Sequence, residues 1–190
     1  MKTNQNSGFI PPHGGYKKLI TYQKAEIIYD GTLYFIDRFI SKHDRTYDQM
    51  KQAARSGKQN IAEASMTSGT SKQTEITLTN VARSSLEELL LDYQDFIRKD
   101  KLELWVKNHR LTKRFREINK TPNANYETYK KAIENPDPGI CANSLICLIY
   151  ITCYLLDKQL VALERAFLQE GGIRERMTKA RLDKRNEDNG

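Results

Sequence analysis

Cationic side chains repeat at helical spacing in two regions of the sequence. They are Lys51, Arg55 and Lys58 in the first region, and Lys107, Arg110, Lys113 and Arg114 in the second. Residues three or four positions apart share one face of a helix, so each set predicts a cationic stripe. Such stripes bind the phosphates of RNA or DNA without reading base sequence. Basic helices also carry them as plain solvated surface, and that alternative stays open.

The overall charge favours the same class of partner. The 190 residues include 31 Lys or Arg and 24 Asp or Glu, which gives a net charge of +7. The excess is concentrated between residues 98 and 116, where eight Lys or Arg accompany two acids and the local net charge is +6. A basic surface attracts nucleic acid, although it also serves solubility. No recognition-helix pattern indicates base-specific binding.

The sequence offers no convincing catalytic set, and we therefore predict a protein that is not an enzyme. The histidines, His13, His43 and His109, fall in a predicted arm, a turn and a basic helix, so none is matched with a nucleophile or a carboxylate. The Glu-x-x-His pairs of di-iron bundles do not occur, and "GTSKQ" lacks the spacing of a phosphate-binding loop. We expect no cofactor.

Four acidic residues cluster in one predicted helix and keep one enzymatic hypothesis open. They are Glu87, Glu88, Asp92 and Asp95. A solvated acidic face, or a partner for the basic helix, explains them most simply. A metal-dependent nuclease or other hydrolase would instead use Glu87, Glu88 and Asp92.

The three cysteines are predicted to be buried core residues of a protein from a reducing compartment. Cys141, Cys147 and Cys153 are six residues apart in one predicted helix, so they point about 120° from one another and cannot share a metal within one subunit. An odd cysteine count without a leading apolar segment favours the cytoplasm. The apolar run over residues 140–156 is too short and too interrupted for a membrane span, and it predicts a buried core helix.

The hydrophobic periodicity predicts an all-α fold with four long helices. These cover about residues 19–41, 46–67, 71–99 and 138–169, and shorter helices are expected at about 105–119, 126–134 and 173–185. Thr46 with Gln49, and Thr70 with Gln73, fit the capping-box pattern that opens a helix. Asp137 and Pro138 suit the start of the apolar helix, and Gly171 suits its end.

The stretch "RSGKQNIAEAS" places small and polar residues inside the second predicted helix. Gly57 and its small neighbours lack bulk, which lets an adjacent helix approach closely. The amide of Asn60 then needs hydrogen-bond partners, for which Ser84 and Ser85 on the third helix are candidates. We therefore predict a packing seam at Gly57 and Asn60, flanked by the cations Arg55 and Lys58.

Two blocks of sequence carry a resemblance to a known family. "SGKQNIAEAS" is similar to the "NIAEG" signature of the bacterial four-helix-bundle proteins also called 23S rRNA-intervening sequence proteins, which are relatives of the accessory protein of diversity-generating retroelements. The signature positions are Gly57, Asn60, Ala62 and Glu63, with Ala64 where the family commonly has glycine. "TLTNVARSSLEELLLDY", residues 77–93, resembles the third helix of that family. The two ends of the chain resemble a subgroup with a C-terminal suffix.

The resemblance implies an architecture and a set of partners. It implies an up-and-down four-helix bundle over residues 16–170 with a helical suffix at 171–190. The polar composition, with its prolines and glycines, predicts a flexible arm at 1–15, and the basic insert at about 100–137 is longer than a minimal bundle needs. The resemblance further implies a ring-like homo-oligomer, commonly a pentamer, with no enzyme activity. RNA or DNA, and a protein partner such as a reverse transcriptase, are the associations it suggests. A protein-interaction scaffold with no nucleic-acid role is the alternative.

Overall fold

The computed structural model describes residues 10–121 and 124–188, and its regular elements are all helical. The predicted all-α class is confirmed for this part of the chain. A short 3-10 helix over Tyr16–Lys18 precedes seven α-helices. These are α1 (Ile20–Phe39), α2 (Arg45–Thr67), α3 (Lys72–Lys99), α4 (Arg110–Asn119), α5 (Tyr126–Ile133), α6 (Pro138–Glu170) and α7 (Ile173–Asp188).

The starts of α2 and α3 differ from the predicted capping boxes. The side chain of Asp44 accepts a hydrogen bond from the backbone N–H of Thr46 and opens α2. The side chain of Ser71 likewise accepts from the N–H of Thr74 and opens α3. The prediction that Thr46 and Thr70 begin these helices is therefore wrong by one or two residues. In both cases a neighbouring residue with an equally good acceptor side chain caps the helix instead.

The limits of the apolar helix agree with the prediction. The carboxylate of Asp137 accepts hydrogen bonds from the N–H groups of Gly139 and Ile140, and Pro138 is the first helical residue. Gly171 follows the helix with φ of 69°, a conformation that costs other residues energy. Asp137 and Pro138 thus define the start of the 33-residue helix α6, and Gly171 defines its end.

Four long helices enclose the core of the protein. Helix α2 packs against α1 and α3, and α6 packs against the same two neighbours. The ring of Phe35 contacts the rings of Tyr93 and Phe96 edge-on, each at a centroid distance of 4.9 Å. The buried hydroxyl of Tyr93 donates to Thr32 Oγ1 over 3.0 Å, so the core contains a satisfied polar pair.

The apolar run lies in α6. Among the described residues, one stretch, Pro138–Asp188, which comprises α6 and α7, is long and apolar enough to cross a membrane by length and composition, with a mean hydropathy of 1.9 in its most apolar window. Within the protein, 67% of that window is buried. Burial of this kind is typical of a core helix, as the sequence predicted.

The insert between α3 and α6 lies against the outside of the core. Helix α4 packs on α6, and α5 packs on α6 and α1. The segment before α4 is attached to α6 by the buried side chain of Asn143. Its amide donates to the carbonyl of Glu103, and its carbonyl accepts from the N–H of Trp105, both over 2.8 Å.

The two ends of the described chain differ in how they contact the core. The N–H of Gly14 donates to the carbonyl of Ser65 over 3.0 Å, and the Ser65 hydroxyl donates back to the carbonyl of Gly14. These bonds attach the last part of the predicted N-terminal arm to α2; residues 1–9 of that arm lie outside the described residues. Helix α7 has no buried residue and makes no substantial contact with another helix.

Candidate nucleic-acid interface

Helix α4 presents a cationic face to solvent. Thr112 and Phe115 are buried on its inner side. Arg110, Lys113 and Arg114 are exposed on the rest of its surface. The strong separation of apolar and charged residues explains why so short a helix forms here, because its inner face packs on α6.

Lys107 lies outside α4, contrary to the predicted helix over 105–119. The helix begins only at Arg110, and His109 Nδ1 accepts a hydrogen bond from the N–H of Leu111 at that end. The tie between Trp105 and Asn143 holds the preceding backbone away from helical geometry. Lys107 is exposed in the turn before α4 and remains close in sequence to the cationic face.

The cations of this region have no acidic partners among the described residues. Lys107, Arg110, Lys113 and Arg114 form no ion pair there, nor does the neighbouring Arg116. The predicted stripe did not include Arg116, although it lies within the basic stretch over 98–116 and three residues after Lys113. We define the α4 cationic face as Arg110, Lys113 and Arg114. Unpaired surface cations can neutralise the phosphates of a nucleic acid and release the counterions that surround them.

The stripe on α2 is less available to a ligand. Arg55 is exposed, whereas Lys51 and Lys58 are half-buried. The ammonium of Lys58 lies over the ring of Tyr29, with Nζ 4.1 Å from the ring centroid. This cation–π contact engages the charge within the protein, so Lys58 presents less of it to a partner.

The two predicted stripes occupy separate surfaces. Helix α2 contacts α1 and α3, while α4 contacts α6. Because α2 and α6 both contact α1 and α3, they lie on opposite sides of the core. The structure therefore gives two cationic areas rather than one continuous interface, and the α4 area is the more exposed.

Gly57 forms a close contact between α2 and α3, as the sequence predicted. A Cβ atom at this position would lie 2.8 Å from Leu86 Cδ2 and 2.9 Å from Leu86 Cγ. Such distances are too short for two carbon atoms, so only glycine fits without a shift of Leu86. Of the other signature residues, Ala62 is half-buried and Glu63 is exposed.

Asn60 finds its partners in its own helix, which corrects the predicted bond across the seam. Its Nδ2 donates to the carbonyl oxygen of Ser56 over 2.9 Å and to Ser56 Oγ over 3.0 Å. Ser56 Oγ in turn lies 2.9 Å from Ser85 Oγ on α3. Ser85 is thus in the seam, but it meets Ser56 directly, and Ser84 is exposed elsewhere on α3.

The acidic cluster on α3 splits into groups with different surroundings. Glu87 pairs with Arg83 at 3.0 Å. Burial, with Glu88 and Asp95 nearby, raises the pKa of Asp92 to about 6, and Asp92 Oδ2 is buried without a hydrogen bond among the described residues. In residues 10–121 and 124–188, no group of three His, Cys, Asp or Glu side chains is arranged to hold a metal ion.

The three cysteines face three different helices. Cys141 Sγ donates to the carbonyl of Ile133 beside α5, over 2.7 Å. Cys147 faces Thr112 of α4, and Cys153 lies near Arg83 of α3. Burial raises the pKa of Cys141 and of Cys153 to about 12. The predicted divergence of these side chains is confirmed, and their thiols stay protonated at neutral pH.

Lys24 is a buried cation that the sequence reasoning missed. Only 3% of the residue is exposed, and its Nζ donates to the Tyr129 hydroxyl of α5 over 3.5 Å. Burial lowers the pKa of Lys24. The position of Lys24 on the stripe of apolar residues in α1 was the sequence signal that could have predicted its burial. The contact attaches the insert to the core, and it is not part of the α4 cationic face.

Comparison with known proteins gave no match. No protein-family model matches the chain, no curated protein matches it, and no solved structure matches its fold.

Proposed function

We propose that this protein binds nucleic acid non-specifically as a non-enzymatic accessory factor. The observation that carries the proposal is the α4 cationic face, Arg110, Lys113 and Arg114. The three side chains are exposed and form no ion pair among the described residues. The net charge of +7 adds a longer-range attraction for RNA or DNA.

We further infer that α1, α2, α3 and α6 form an up-and-down four-helix bundle. Contacts between residues at opposite ends of neighbouring helices support the alternation. Tyr47 near the start of α2 donates to Asp37 near the end of α1, and Gln94 late in α3 donates to Tyr150 early in α6. Thr21 at the start of α1 donates to Gln159 late in α6. This topology, with the tight packing at Gly57, supports membership of the four-helix-bundle family.

We propose that the protein assembles as a homo-oligomer, for which the family resemblance suggests a pentamer. Tyr154, Val161 and Leu168 are separated by seven residues each and are 59%, 53% and 76% exposed. We call them the outer α6 face. Exposed apolar residues at seven-residue spacing favour packing against another helix. We also propose a cytoplasmic location and a protein partner such as a reverse transcriptase. The alternative function is a protein-interaction scaffold with no nucleic-acid role.

Matched variants of equal charge test the nucleic-acid proposal. The triple variant Arg110→Gln, Lys113→Gln, Arg114→Gln removes the α4 cationic face. The control Lys179→Gln, Arg181→Gln, Arg185→Gln removes three exposed cations of α7. We expect fluorescence anisotropy with generic RNA and duplex DNA at low salt to show binding that the first variant loses and the control retains. Equal losses would mean that net charge alone is responsible, and no wild-type binding would favour the scaffold.

A further inference from the structure

A cavity of about 500 Å³ opens between the segment before α4, α4 itself and α6. Its walls are mostly apolar side chains, and Leu104 and Val106 among them are exposed to solvent. The apolar lining residues include Leu104, Trp105, Val106, Phe115, Ile146 and Ile151. A volume of this size is within the range of natural small-molecule sites.

The cavity wall contains a buried hydroxyl, that of Thr112, with no oxygen or nitrogen partner among the described residues. Thr112 is only 8% exposed, and its Oγ1 makes no hydrogen bond of ordinary geometry with any described residue. The thiol of Cys147, on the same wall, faces this hydroxyl, which opposes the rise that burial causes in the pKa of Cys147, but a thiol is a weak hydrogen-bond partner. Buried hydroxyls in folded proteins nearly always have a partner. The Thr112 hydroxyl, with a thiol as its neighbour, is therefore available to donate to a polar atom of a ligand among apolar walls.

The charged residues that line the cavity are all positive. Lys107 and Arg116 are both exposed at its edge, and no carboxylate lines it among the described residues. The guanidinium of Arg116 also opposes the rise that burial causes in the pKa of Cys147, which shows that its charge is felt at the wall. An anion would therefore be favoured over a neutral or cationic ligand.

We propose that this cavity binds a small organic anion with an aromatic or branched aliphatic body. The body packs against Trp105, Phe115 and Ile146. The anionic group lies between Lys107 and Arg116, and an oxygen atom of the ligand accepts a hydrogen bond from Thr112 Oγ1. This site is independent of the α4 cationic face, because Arg110, Lys113 and Arg114 do not line the cavity.

The single tryptophan of the chain gives a direct measurement, because Trp105 lines the cavity. The full-length protein is titrated with phenylbutyrate, with its neutral analogue phenylbutanol, and with acetate, while tryptophan fluorescence is followed. We expect a saturable one-to-one change with phenylbutyrate, binding weaker by about tenfold with phenylbutanol, and no change with acetate.

Variants test each contact separately. Thr112→Val keeps the shape of the side chain and removes the hydroxyl, and it should weaken phenylbutyrate binding by about fivefold. Lys107→Gln and Arg116→Gln change exposed residues, and each should weaken phenylbutyrate binding by about threefold. Lys179→Gln on α7 is the control and should have no effect, while circular dichroism verifies that every variant is folded.

Three results would overturn the proposal. The first is no saturable fluorescence change with phenylbutyrate. The second is equal affinity for phenylbutyrate and phenylbutanol, which indicates non-specific adsorption to exposed apolar side chains. The third is full affinity in the folded Thr112→Val, Lys107→Gln and Arg116→Gln variants.

Discussion

At the residue scale, Gly57 is a glycine inside α2 that lies in close contact with Leu86 of α3. Glycine lowers the stability of a helix interior by about 0.5–1 kcal/mol relative to alanine, so its presence needs a compensating contact. Leu86 fills the space where a Cβ atom would lie. The lack of bulk in the sequence predicted this close approach, while the identity of the residue that fills it depends on tertiary packing.

Substitution of Gly57 tests the seam. Gly57→Ala gains helix propensity but places a methyl group against Leu86, and overpacking usually costs more than propensity returns. We expect the free energy of unfolding to fall by about 1–2 kcal/mol, measured by urea denaturation. Ser84→Ala, at an exposed position on α3, is the control. A Gly57→Ala protein as stable as the wild type would contradict the seam.

Asn60 shows what the sequence leaves undetermined at this scale. Its side chain could reach either a neighbouring helix or the backbone one turn earlier, and both would satisfy the amide. The structure has the local bond to Ser56, while Ser56 itself bonds to Ser85 on α3. The polar link across the seam was predictable, but the residue that makes it was not.

The raised pKa of Asp92 makes the free energy of unfolding depend on pH. That pKa is raised from 3.8 to about 6 because burial disfavours the charged carboxylate. The folded protein therefore holds this proton more tightly than the unfolded chain. The contribution of Asp92 to stability is present at about pH 4 and is lost as pH rises through about 6.

A neutral side chain at this position should remove that dependence. We expect Asp92→Asn to raise the free energy of unfolding by about 1 kcal/mol at about pH 7.5, after allowance for solvent screening, with little change at about pH 4. Urea denaturation at both pH values measures the difference. Asp95→Asn, at a more exposed carboxylate paired with Arg98, should change stability less. Equal gains at both pH values would refute this account of Asp92.

At the element scale, the long helices were predictable and the start of α4 was not. Periodicity and capping residues define α1, α2, α3 and α6 within one or two residues, because the local sequence carries both signals. Before α4 the backbone of Trp105 is bonded to Asn143, a residue 38 positions later in the chain. No local pattern contains such a contact, so the predicted helix began too early.

Removal of α7 tests whether the suffix belongs to the stable core. Helix α7 has no buried residue and contacts no other helix substantially. A chain ending at Gly171 is therefore expected to keep the melting temperature of the full protein within about 2 °C by circular dichroism. A substantially lower melting temperature would show that α7 packs on the core or on another subunit. Comparison of the solution masses of the two chains separates these cases.

At the scale of the whole molecule, the outer α6 face is the proposed contact between subunits. Replacement of Tyr154 and Val161 by glutamate puts charges into that contact, and we expect the solution mass to fall toward the 22.0 kDa of one chain. Light scattering after size exclusion measures the mass. Met66→Glu, at an exposed apolar position on α2, is the control. If the double variant keeps the wild-type mass, the contact lies elsewhere.

The distribution of charge over the molecule was only partly predictable. Composition and spacing identified both cationic stripes, because exposed helix faces follow a simple period. The packing of the helices places the two stripes on opposite sides of the core. It also places the ammonium of Lys58 over the ring of Tyr29 on α1. The sequence thus indicated the residue types of the site, and tertiary structure decided which of them are available.

The salt dependence of nucleic-acid binding tests the central claim most directly. The affinity for a duplex DNA of fixed length is measured over a range of salt for the wild type, for the triple variant of the α4 cationic face, and for the triple α7 control. Each lost phosphate contact reduces the slope of log affinity against log salt by about 0.9, so the α4 variant should lose about 2.7 and the control little. An α4 variant with the wild-type slope and affinity would contradict the claim.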